Sequence, residues 1–108
     1  MKLRTIPLFL LALLGAIATP VLAALPKDAP VRIRAAGLDA GWVEGRIGTS
    51  KAGCTMVYLN AKTQAGYTSV ALVAVDQMQQ KQGTAWTDVA VKPLVAQESK
   101  PCRDAAND

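Results

Sequence analysis

The sequence predicts a small all-β domain in which five short strands close into a barrel stapled by one disulfide. Three observations carry that expectation. Short runs rich in β-branched and aromatic residues are separated by polar, glycine-bearing stretches, no window keeps a long helical period, and two cysteines stand far apart in a short chain. The run around which the others are arranged is Thr68 to Val75, whose six consecutive apolar residues from Val70 read as a central strand buried on both faces.

Met1 to Ala23 has the layout of a secretory signal peptide. Lys2 and Arg4 open it, an apolar stretch runs from Ile6 to about Ala18, and Val21-Leu22-Ala23 supplies a cleavage ending, so the mature chain is expected to start at Ala24. The apolar stretch falls short of the ~20 residues a spanning helix needs and contains Pro7, with Pro20 just beyond. No stable membrane insertion is therefore expected after cleavage, and a periplasmic or secreted location follows. No Cys follows the cleavage position, so no lipid can be attached there.

Removing the first 23 of 108 residues leaves 85, and losing Lys2 and Arg4 lowers the net charge from +4 to +2. The remaining positive charge is spread over positions as separate as Arg32, Lys62 and Lys100, without the clustered basic face of a nucleic-acid binder, so no nucleic-acid partner is expected. A core built from so short a chain leaves a thin margin of stability. Cys54 and Cys102 are the only cysteines, and in an oxidising compartment such a pair is most simply a disulfide. Closing the intervening loop stabilises by about 4 kcal/mol on chain-entropy grounds. The chain has no His, so two cysteines cannot complete a usual zinc site, and their spacing is not that of a C-x-x-C redox motif.

Residues 24–30, with Pro26 and Pro30, read as a flexible lead-in to a barrel domain over 31–97. Val31-Arg32-Ile33-Arg34 alternates apolar and charged residues as an edge-like first strand, its arginines facing water. After a loop bounded by Gly37 and Gly41, Trp42 to Gly48 forms the second strand, where Gly45 marks a bulge or bend that curls the sheet. Thr49 to Gly53 is a polar hairpin loop before the third strand, Cys54 to Asn60. The connection Ala61 to Tyr67 leads to the central run. Asp76 to Gly83 is polar and rich in glutamine; it extends the strand as a β-arm, forms a helical turn or, as the main reading, makes a plain polar hairpin, with a recognition loop as the functional alternative. Trp86 to Lys92 alternates as the last strand, which Pro93 stops, and Leu94 to Ala96 add a short strand or turn. Residues 98–108 form a polar tail tied down at Cys102.

The order Gly41-Trp42-Val43-Glu44-Gly45-Arg46-Ile47, then Cys54 to Leu59, Val70 to Val75 and Trp86 to Val91, resembles that of an SH3-like or Tudor-like small barrel. The resemblance implies a peptide-binding surface formed by aromatic residues at one end of the barrel, and an OB-type strand order would present the same sequence of strands.

Without His, the commonest general base is missing, and the scattered carboxylates form no metal-ligand spacing. A non-catalytic role without metal or cofactor is expected. Trp42, Tyr58, Tyr67 and Trp86 are the aromatics of the mature chain, either core residues or a platform at a barrel mouth. Trp42 with Tyr58, and with Asp39, Glu44 and Arg46 as polar groups, is the candidate binding site, and Trp86 is read as a core or lid residue. The expected function is an exported interaction module of a bacterial-type cell envelope, its partner an envelope protein or cell-wall polymer. The alternative is a small disulfide-stapled inhibitor or stability protein for a secreted enzyme, acting through a protruding loop over Asp76 to Ala85.

Overall fold

A computed structural model describes residues 25–104. The expected signal peptide, Met1 to Ala23, lies outside the described residues, as does the end of the tail from residue 105. The strands are β1 (Pro30–Arg34), β2 (Val43–Thr49), β3 (Thr55–Leu59), β4 (Ser69–Ala71), β5 (Gln77–Gln82) and β6 (Ala85–Val89). A single 3₁₀ turn, Leu72–Ala74, separates β4 from β5, and two short helices close the described chain, α1 (Val91–Ala96) and α2 (Lys100–Asp104).

All six strands belong to one antiparallel sheet of order β4-β3-β2-β1-β5-β6. The expectation of five strands in a closed barrel is corrected on both counts. The additional strand comes from the glutamine-rich stretch, which is β5, joined to β6 by a two-residue turn in which Gly83 takes φ +64°. Closure would require the edges β4 and β6 to pair. β4 spans only three residues before the 3₁₀ turn carries the chain off the sheet, so it offers too little edge for that pairing.

The places of the first strand and the apolar run are also reversed. β1, read as edge-like, lies between β2 and β5 near the centre, and the run from Val70 supplies a short edge strand and the 3₁₀ turn. The cause is that the sheet has one wet face. A strand at its centre must alternate, as Val31 and Ile33 do against Arg32 and Arg34, whereas a stretch apolar on both sides has no second layer to meet. The chain uses that stretch by crossing the inner face, where Leu72 and Val75 are buried.

The core lies between the inner face of the sheet and this crossing layer. Val31, Ile33, Ile47, Val57, Val70 and Met78 from the strands pack with Leu72, Val75, Val91 and Leu94. Pro93 does not end a strand but falls in the first turn of α1, where its missing N–H is one of those a helix start leaves unpaired. Cys54 and Cys102 are joined, their Cα atoms 5.4 Å apart, which pins α2 to the start of β3. Glu98 adds to this anchorage, accepting from the Thr55 backbone N–H at 3.2 Å and hydroxyl at 2.8 Å. At the other end, Asp28 donates to the Ile47 carbonyl and Ile47 to that of Ala29, so residues 28 and 29 run alongside β2.

Gly45 is not a bulge, because the ladders to β1 and β3 run through it in register. It permits close approach instead. A Cβ there would stand 2.6 Å from the Tyr58 carbonyl oxygen and 2.9 Å from Val57 Cγ1.

Candidate functional site

Side chains alternate across a strand, so the residues between the core positions make a second, outer face. Arg34, Glu44, Arg46, Tyr58, Lys81 and Asp88 are exposed on it, and the helices lie on the other side. Its middle is a chain of cations and rings. The Arg34 guanidinium carbon is 4.3 Å from the centre of the Trp42 ring, that of Arg32 is 4.9 Å from Trp42 and 4.5 Å from Trp86, and Lys81 Nζ is 6.0 Å from Trp86. The distances are those at which a cation is held by a ring quadrupole.

Hydrogen bonds fix the central member. Arg32 donates to Gln79 Oε1 from Nε at 2.8 Å and also from Nη2, and Gln79 Nε2 donates to Asp88 Oδ1 at 2.7 Å. The bonds follow the register, since Arg32 faces Gln79 and Gln79 faces Asp88 across the ladders. Arg34 donates to Gln77 in the same way at 3.3 Å.

No protein-family model, curated protein or solved structure matches this chain.

The residues singled out from sequence occupy this face or its border, and not a barrel mouth. Trp42 precedes β2 and separates two grooves. One, of about 480 Å³, is lined by Asp39, Trp42, Glu44, Asn60, Lys62 and Thr63. The other, of about 500 Å³, lies beside Arg34, Asp76, Gln77, Asp88 and Lys92. Asp39, in the β1–β2 loop, accepts from the Gln64 backbone N–H at 3.1 Å. Glu44 stands opposite Arg32, and Arg46 opposite Tyr58. The Tyr58 ring covers Gly48, where an added Cβ would come 2.5 Å from the ring, and its hydroxyl reaches the Thr49 carbonyl at 3.4 Å. Tyr67 is exposed on the β3–β4 connection, outside this group.

Sequence reasoning missed Arg32 and Gln79 and left Trp86 out of the site. Trp86 is not a core or lid residue, since it shares the outer face with Asp88 while Val89 points inward. Its odd separation from Val89 already contained that result. A third hollow, about 350 Å³, opens among Leu25, Ile47, Leu72, Leu94 and Glu98 on the core side, where the Glu98 carboxylate is bonded to Thr55. Among the described residues no three acidic, His or Cys side chains gather to hold a metal, and no helix is long and apolar enough to cross a membrane.

Proposed function

We propose that this chain is an exported, non-catalytic binding module of a bacterial-type cell envelope, taking its partner on the outer face of the sheet around Trp42. The observation that carries this reading is that both indoles lie on the face opposite the core, clustered on one arginine. A domain this small has every reason to spend its largest apolar side chains in the core, and rings kept in a wet cluster are the usual means of gripping a partner. The disulfide fits an oxidising compartment, which supports export.

The strand order supports an opened relation to the SH3-like barrel: β1 to β4 run as a meander, a 3₁₀ turn follows, and β5 returns beside β1. The inhibitor reading draws less support, because Asp76 to Ala85, the segment it needs as a protruding loop, is mainly the paired strand β5 with its turn.

The test is capture from envelope extract by immobilised mature protein, comparing the native chain with Trp42→Ala at equal folded fraction. The native chain should retain a partner and the variant lose it. Equal capture by both, or none by the native chain, refutes the reading.

A further inference from the structure

The register of the sheet aligns one more set of side chains, in a row running across the strands. Trp86 faces Lys81, Pro30 faces Arg46, and Arg46 faces Tyr58. Pro30 falls beside Lys81 by one further step along the β1–β5 ladder, beyond the pair Val31 and Gln80. The row thus reads Trp86, Lys81, Pro30, Arg46, Tyr58, with aromatic rings at the ends, two exposed cations within and no carboxylate. Lys81 and Arg46 stand two strand spacings apart, roughly 10 Å. The carboxylates of this face belong to the next row, where Asp88 accepts from Gln79 and Glu44 stands opposite Arg32. Arg46 spends one N–H on the Asp28 carbonyl at 3.1 Å, leaving its other donors toward solvent.

We infer that this row binds an acidic glycan laid across the strands, its ring faces against Trp86 and Tyr58 and its acid groups on Lys81 and Arg46. The inference rests on the binding-module reading, extends its site along the outer face from Trp42 to the row of Arg46, and names the partner's chemistry. Charge complementarity calls for an anion. The choice of a glycan over an acidic peptide follows from where the two cations stand, on β5 and β2, which are interior strands with a neighbour on each side. An extended peptide recognises a sheet mainly by adding to an edge, where main-chain donors and acceptors are free. A sugar chain needs ring faces and charged side chains, which this row presents.

The test uses the mature protein and isothermal titration with polygalacturonate and dextran sulfate as acidic glycans, neutral dextran, and poly-glutamate. An acidic glycan should bind more tightly than poly-glutamate, neutral dextran should not bind, and affinity should fall as salt rises. Lys81→Gln and Arg46→Gln should each weaken binding about three- to fivefold, whereas Arg103→Gln, on α2, should leave it unchanged. Melting curves identical to the native chain's exclude misfolding, since both cations are exposed. Equal or tighter binding of poly-glutamate, or glycan binding untouched by both substitutions, overturns the inference. Envelope capture that persists while neither acidic glycan binds also overturns it and leaves the module reading standing, and loss of both defeats the two together.

Discussion

Arg32 and Trp86 meet across an intervening strand, the guanidinium carbon 4.5 Å from the ring centre, with Gln79 of β5 bonded to the same guanidinium. The contact joins the middle of the sheet to its β6 edge and gives the outer face a fixed shape. A double-mutant cycle on Arg32→Ala and Trp86→Ala, read by urea unfolding, should return a coupling energy of about 0.5–1 kcal/mol. Additive effects would mean that the ring and the cation are merely neighbours.

Ile33 is fully buried and Leu72 nearly so, at 0% and 2% exposure. Truncating either to Ala should cost about 2–5 kcal/mol, the larger part of the margin of so small a domain. Chemical denaturation checks this. Leu72 keeps the effect expected of a central strand although it lies in a 3₁₀ turn, because burial and not strand membership determines the cost.

Gly45 and Gly48 should respond differently to Ala. At Gly45 the new methyl meets the Tyr58 backbone carbonyl, which cannot move without disturbing the ladder, whereas at Gly48 it meets the Tyr58 ring, which can swing aside. Overpacking at Gly45 should cost about 1–3 kcal/mol, and Gly48→Ala should cost less while exposing Tyr58. Melting temperatures and tyrosine fluorescence of the two variants decide the order.

Reducing the bond between Cys54 and Cys102 should lower stability by up to about 4 kcal/mol, chiefly by releasing the unfolded chain. The loss should be visible as a lower melting temperature in reductant. An unchanged temperature would show that Glu98 and the core hold α2 without the bond.

Much of the sheet was legible because alternation is a local property. Val31 and Ile33 against their arginines, the hairpin loop after β2 and the two cysteines could be read directly. The centre of the sheet was not, since the six apolar residues from Val70 satisfy a doubly buried strand and a crossing over a one-sided core equally well. Pro93 misled similarly, because proline ends a strand and is also tolerated in a helical first turn. For the site, the face of Trp42 was anticipated only as a barrel mouth. Arg32 escapes notice because an arginine alternating with apolar residues looks like a solvated edge residue, and one of its two ring partners, Trp86, comes from a distant part of the chain.

The placing of β1 at the middle of the sheet has a consequence for how the chain comes into being. β1 has only β2 beside it until residues 77–82 are available to pair on its other side. Val31 and Ile33, the most deeply enclosed side chains near the start, must therefore wait for the second half of the polypeptide before they leave water. Domains that rely on such distant pairings fold slowly and as a unit. A chain truncated before β5 should remain sensitive to protease, and resistance should arrive in one step once residues 77–82 are present.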